Sequence, residues 1–240
     1  MIFFVPKRQQ DAGVARATAG GFTLLEVLLA IFFFSVIITT IFGAYTGVLS
    51  KAAAVEDTLL LNEMAQVCLN RISLDLQSIY VAQPPIYKQP AFDSTPDPYR
   101  IVSEPSASGI EKGMSLRFTS RAHVALEPQA RTGVAEIFYY IKAIDDDQFD
   151  LRRSDRLFFD EPFEPQAGDP VLCEHIKMLT FGFIDAEGKE HEEWNSESDD
   201  FDYATPRAIV VHLEIGTSVE NLTFETRVNL PVFRDKVGTI

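Results

Sequence analysis

From Val27 to Ser50 the chain carries 24 consecutive uncharged residues, VLLAIFFFSVIITTIFGAYTGVLS. As a helix rising about 1.5 Å per residue, this run spans roughly 36 Å, more than the ~30 Å hydrocarbon core of a bilayer. It is also longer than the roughly 7 to 15 apolar residues of a secretory signal peptide, and Gly43-Ala44-Tyr45-Thr46-Gly47 is a poor substitute for a small-residue cleavage site. The formal charge of the chain is −14; residues 1–21 contribute +2 (Lys7, Arg8 and Arg16 against Asp11), so everything after them totals −16. A basic start before the span and an acidic remainder after it predict a cytoplasmic N-terminus and an extracytoplasmic C-terminal domain. Without a Lys/Arg cluster to follow a phosphate backbone, no nucleic-acid partner is expected.

Just before the uncharged run stands Gly20-Gly21-Phe22-Thr23-Leu24-Leu25-Glu26-Val27. A carboxylate at the centre of a membrane helix costs about 2.5 to 3.5 kcal/mol, and less near the helix end, so Glu26 needs a partner or an exit. A cut between Gly21 and Phe22 would supply the partner. The new α-amino group of Phe22 is a cation, and a neighbouring subunit displaced along a filament axis could set it beside Glu26. At about 4 Å and an effective dielectric near 20, the pair gains about 4 kcal/mol, comparable to the insertion cost, and would favour one axial stagger. The simpler alternative is a lone anchor helix with Glu26 in the headgroup region.

The string Gly21-Phe22-Thr23-Leu24-Leu25-Glu26 followed by a long apolar helix resembles the class III signal of type IV pilins and type II secretion pseudopilins. The resemblance implies that Gly21 precedes the cut made by a prepilin peptidase. It makes Phe22 the N-methylated first residue and Glu26 the fifth-position acid of the mature chain. The 21-residue leader is longer and less basic than many in that family.

Past the span, Leu61, Ala65, Cys68, Ile72, Leu76 and Ile79 recur at spacings of 4, 3, 4, 4 and 3, an apolar stripe that packs on the protein's own domain, with Glu56, Asp57, Glu63, Arg71 and Asp75 falling off it. Pro84-Pro85 ends the helix on this reading. Residues 84–109 hold six prolines and read as a long connecting loop. Strand-like runs follow at 115–120, 136–143, 149–153, 176–184, 208–215 and 222–232, with a short helical turn admitted near 171–177. Asp145-Asp146-Asp147 and Gly216-Thr217-Ser218 sit where hairpin connections would. The expected organisation is a leader (1–21), a transmembrane helix segment (22–50), its amphipathic continuation (51–83) and an extracytoplasmic β-rich domain (84–240). The fold class is α+β, pilin-like, with a long N-terminal helix packed on antiparallel sheet.

In the C-terminal half, Phe138-Tyr139-Tyr140, Leu151-Arg152-Arg153, Val171-Leu172, Leu179-Thr180-Phe181, Trp194 and Thr205 to Val211 follow one another in the order of J-type minor pseudopilins. This resemblance implies a single-pass protein of the bacterial inner membrane with a periplasmic domain. It implies I-type and K-type minor pseudopilins and the major pseudopilin as partners, with the prepilin peptidase and the inner-membrane assembly platform. Such proteins form the tip complex that starts and caps the secretion pseudopilus and carry out no bond chemistry. A minor pilin of a type IV pilus shares the same N-terminal signal and is the alternative; a membrane-tethered enzyme is a third class.

Of the signatures of catalysis, neither H-E-x-x-H nor G-x-S-x-G occurs, and His123, His175, His191 and His212 form no close pair in sequence. No cofactor is expected. Calcium is the one ion considered, with Asp199, Asp200 and Asp202 or Asp145 to Asp147 as weak ligand candidates, although neither set matches an EF-hand and a solvated acidic loop explains both. Cys68 and Cys173 would lie in an oxidising compartment, and their spacing leaves pairing open. Asn221-Leu222-Thr223 fits a glycosylation acceptor by chance, inside a predicted strand.

Overall fold

The computed structural model describes residues 21–91, 95–124, 133–145, 148–157, 163–217 and 220–237, without the side chains of Ala53 and Ala54. The chain divides into two compact units, Met1–Ala54 and Val55–Ile240, and helix α1 (Leu24–Gln77, 54 residues) contributes to both.

In the first unit every side chain described is exposed, including Phe32, Phe34, Ile37, Ile41 and Phe42. The stretch is long and apolar enough to cross a membrane. Its few polar side chains are satisfied locally. The hydroxyls of Ser35, Thr39, Thr40, Thr46 and Ser50 donate to carbonyls three or four residues back, at 2.7–3.1 Å. A hydroxyl bonded in this way needs no water, which suits a helix surface facing hydrocarbon.

In the second unit α1 becomes one-sided. Leu61, Ala65, Cys68, Ile72 and Leu76 are buried, while Glu56, Asp57 and Glu63 face solvent. Asp75 departs from the expected polar face: it is fully buried. Position 75 lies three residues after Ile72 and seven after Cys68, so it shares the stripe's face, and partners on other elements satisfy its carboxylate. The helix also ends earlier than the Pro84-Pro85 signal implies. The Ser120 hydroxyl donates to the Asp75 carbonyl (2.8 Å) and the Arg121 amide to the Ser78 carbonyl (2.9 Å), so groups from a later strand cap the last turn.

Among the described residues ten strands follow: β1 (Ile79–Tyr80), β2 (Val102–Pro105), β3 (Met114–Ser120), β4 (Ala135–Asp145), β5 (Gln148–Arg156), β6 (Val171–Cys173), β7 (Ile176–Ile184), β8 (Glu190–His191), β9 (Ala208–Gly216) and β10 (Asn221–Asn229). Every pairing among them is antiparallel. The fold is α+β, a long N-terminal helix with antiparallel sheet, as the sequence leads one to expect. The sheet is double: six strands in the order β1-β3-β4-β5-β6, with β2 also on β3, and four in the order β10-β9-β7-β8. β1 and β2 lie end to end along one edge of β3, pairing with Thr119–Ser120 and with Met114–Arg117.

Four local expectations change. Ile79 leaves the helix for β1. The 84–109 loop contains β2. The turn admitted near 171–177 is strand β6 and the start of β7, because Leu151 and Arg152 of β5 offer it a free edge. Strand β10 ends at Asn229 instead of 232, where pairing with β9 runs out at Ala208. The β9–β10 hairpin forms where expected, closed by the Thr217 amide donating to Glu220 O (2.9 Å). A Cβ on Gly216 would lie 2.6 Å from that carbonyl and clash with the Asn221 side chain, so the tight approach requires glycine. Ser218 of this connection, and Asp146 and Asp147 of the other hairpin, fall outside the described residues.

One hydrophobic cluster joins the helix stripe to both sheets, through Phe118, Ile137, Tyr139 and Leu151 on one and Leu179, Phe181, Ile209 and Leu213 on the other. Truncating Ile72 to alanine at its centre should destabilise this unit by about 2–5 kcal/mol. The exposed Glu63→Ala change should stay within about 0.5 kcal/mol. Denaturant unfolding of the full chain in detergent, followed by fluorescence of the buried Trp194, measures both.

Candidate functional site

At the start of α1, Gly21, Phe22 and Thr23 lie outside the helix. Thr23 caps it: the Glu26 amide donates to Thr23 Oγ1 (3.3 Å) and Thr23 O (3.1 Å). Phe22 is 82% exposed and Gly21 is exposed too, so the Gly21–Phe22 peptide lies open ahead of the helix. One turn into the helix, Glu26 is exposed and lines a shallow groove with Phe22, Val27, Ala30, Ile31 and Phe34. Of the residues singled out in the sequence, Phe22 and Glu26 are thus brought to one place.

A second constellation is buried in the Val55–Ile240 unit. Asp75 accepts from Arg153 Nε (2.6 Å), Tyr139 OH (2.5 Å) and Arg153 Nη2 (3.3 Å), and pairs with Arg71 one helical turn before it (2.7 Å). Arg153 Nη1 reaches Asp155 (2.6 Å), which in turn meets His123 Nδ1 (2.5 Å) and accepts from the Val124 amide (2.9 Å). Arg71 and Arg153 both donate to the Ala122 carbonyl. The network joins α1, β4, β5 and the segment after β3. Burial, then the Asp75 charge and hydrogen bond, push the Tyr139 hydroxyl well above its ordinary range, so it stays a donor. Burial works against the Arg153 charge, but the hydrogen bonds and charges of Asp75 and Asp155 outweigh it and raise its pKa. Burial works against the Asp155 carboxylate too, and His123, the Val124 amide and Arg153 outweigh it and hold its pKa below 3.8.

The third constellation centres on Arg234, whose side chain is 1% exposed. Its guanidinium donates to the carbonyls of Tyr203 (2.8 Å), Ala82 (3.0 Å) and Ser196 (2.9 Å), reaches Asp97 (3.4 Å), and lies 3.3 Å from the centre of the Tyr87 ring. Burial chiefly pushes the Tyr87 hydroxyl up to about 12. Arg234 thus pins the proline-rich loop to the C-terminal tail. Sequence reasoning missed both buried hubs. Asp75 could have been found from its i+7 spacing to Cys68, whereas nothing local marks Arg234.

The four histidines stand apart. His123 meets Asp155, His191 meets Asp185 (2.8 Å), His212 lies beside Glu225 (3.4 Å), and His175 sits in the turn between β6 and β7. Asp199 and Asp200 lie in a 3-10 turn (Asp199–Phe201) that Asp202 closes. Asp200 accepts from the Ser198 hydroxyl (2.9 Å) and Asp202 pairs with Lys236 (3.5 Å). Among the described residues, no three His, Cys, Asp or Glu side chains are grouped so as to hold a metal ion.

No family model matches this chain, and no curated protein matches it. Among solved structures it is similar to a type IV-like pilin from Thermus thermophilus, at 8% identity and a TM-score of 0.40, over 71% of this chain and 97% of that one. A likeness this distant carries no argument about function.

Replacing Asp75 with alanine leaves Arg153 Nε and the Tyr139 hydroxyl without their acceptor in the core, with Asp155 the one carboxylate left to Arg153, and should cost about 3–5 kcal/mol. In the Asp75→Ala/Arg153→Met double variant part of that loss should return, and a denaturant double-mutant cycle measures the coupling. Asp155 sets a pH window. Because its folded pKa is depressed, its contribution is fully present above pH 3.8 and is lost as pH falls through the lower folded value. Asp155→Asn should be less stable at pH 7 and lose less between pH 4 and 2 than the native chain, as unfolding midpoints measured across that range will show.

Proposed function

We propose that the chain is a prepilin-type minor pseudopilin of a type II protein secretion system, J-type, processed between Gly21 and Phe22 and assembled into the tip of a pseudopilus. The observation that carries this reading is the apolar, wholly exposed first unit of α1 with Glu26, its single acid, one turn past an open Gly21–Phe22 peptide. Such a surface needs hydrocarbon or other apolar helices around it. A peptidase requires an extended substrate, and the cap at Thr23 keeps the cleavage position out of the helix. Cleavage leaves a cation at Phe22 that a neighbouring subunit's Glu26 accepts, setting axial register and neutralising both charges in the membrane.

On this reading the first unit of α1 serves as inner-membrane anchor and then as filament stem, and the domain after it projects into the periplasm. The partners are I-type and K-type minor pseudopilins, the major pseudopilin, the prepilin peptidase and the assembly platform. The work is mechanical, helix against helix, and no bond chemistry is assigned to the domain.

Intact mass of the protein from membranes of its host tests the pathway. The expected product is a chain starting at methylated Phe22, replaced by the uncut chain in Gly21→Ala; an uncut native chain, or a cut after Ser50, overturns the reading. Glu26→Ala should be cleaved normally yet recovered with I-type and K-type partners at least about tenfold less, in line with a lost pair of a few kcal/mol. Normal recovery would leave register to other contacts. Loss of twitching or DNA uptake in place of secretion would assign the chain to a type IV pilus.

A further inference from the structure

Cys68 and Cys173 are both buried, at 0% and 1% exposure. Cys68 lies on the buried stripe of α1 and Cys173 ends the three-residue strand β6, opposite Leu151 of β5. The residue after Cys173 also meets the helix: the Glu174 amide donates to Met64 Sδ (3.4 Å), one turn before Cys68. The backbone at 174 therefore meets the helix through a side chain one turn before Cys68. Both thiols belong to one hydrophobic cluster, and Cys173 is the foremost influence on the Cys68 thiol. Nothing in the assembly reading above uses either one.

We infer that Cys68 and Cys173 form a native disulfide that ties α1 covalently to the sheet. The inference rests on the extracytoplasmic placement proposed above, which supplies the oxidant class, a protein disulfide of the thiol–disulfide exchange type. One cysteine thiolate attacks that disulfide and displaces a thiolate; the other attacks the mixed disulfide and displaces the second. Two electrons pass from the cysteines to the oxidant, and the two protons end on its dithiol. The bond forms during folding. Once packed, the Cys68 thiol is pushed far up by its contact with Cys173 and by burial, so it holds little thiolate and no oxidant reaches it. The ring closed is large, 105 positions apart in sequence. A pull along α1 would then reach β6 and β5 through a covalent bond as well as through the Asp75 network.

The test uses the full chain. Protein from host membranes is quenched in acid, alkylated with N-ethylmaleimide under denaturing conditions and mapped without reduction. In parallel, the reduced chain is refolded in detergent with oxidised and reduced glutathione. Expected are a linked Cys68–Cys173 peptide in both samples and an unfolding midpoint that falls by roughly 5–15 °C on reduction. Free thiols in both samples overturn the disulfide on geometry and leave the prepilin reading standing. A bond on refolding but free thiols in the cell overturns it through the compartment. Protease access to the domain in spheroplasts then shows whether the periplasmic placement fails with it.

Discussion

A carboxylate with no solvent exposure, on a helix that must also present an apolar stripe, is the constraint on which the domain depends. Asp75 can sit in the core only if its charge and lone pairs are met there, and Arg71, Arg153 and Tyr139 meet them. Each partner comes from a different place, the preceding helical turn, β5 and β4. The one side chain thus fixes the height and rotation of the helix against the sheet. Ser120, donating to the Asp75 carbonyl, ends the helix at the same point. An apolar residue at position 75 could pack in several registers, whereas a buried ion pair tolerates one. The same register seats Cys68 in the cluster that also holds Cys173.

The single helix α1 carries two patterns suited to two surroundings. Through the first unit it is apolar all round and returns its hydroxyls to its own carbonyls, as a surface facing hydrocarbon must. From Leu61 on it is one-sided, with an apolar face on the sheets that also buries Asp75, and with Glu63 facing solvent. The assembly reading draws on the first pattern, and the domain's stability on the second.

How far the fold was legible follows the range of the interactions. The uncharged run, the stripe from Leu61 and the six longer strands β3, β4, β5, β7, β9 and β10 announced themselves in the residue pattern, and the Gly216 hairpin through turn chemistry. The short strands β1, β2, β6 and β8 did not, because two to four residues hold no period and exist only where a neighbour offers a free edge. The acids from Asp199 to Asp202 looked like candidate ligands in one dimension; in the fold Ser198 and Lys236 occupy two of them.

What the sequence determined alone is local: a span long enough for a bilayer, Glu26 four residues after Phe22, and the alternation that makes strands. These follow from 1.5 Å per helical residue and a side-chain period of two, which need no distant partner. Only the tertiary structure decided that the sheet is double, that the helix stops at Gln77, that Arg234 staples the proline-rich loop to the tail, and that two cysteines 105 positions apart share one buried cluster. In every one of these cases the deciding partner is far away in sequence. A buried charge, a free strand edge or an unmet carbonyl is satisfied by whatever group folding brings within about 3 Å, and no local pattern names that group.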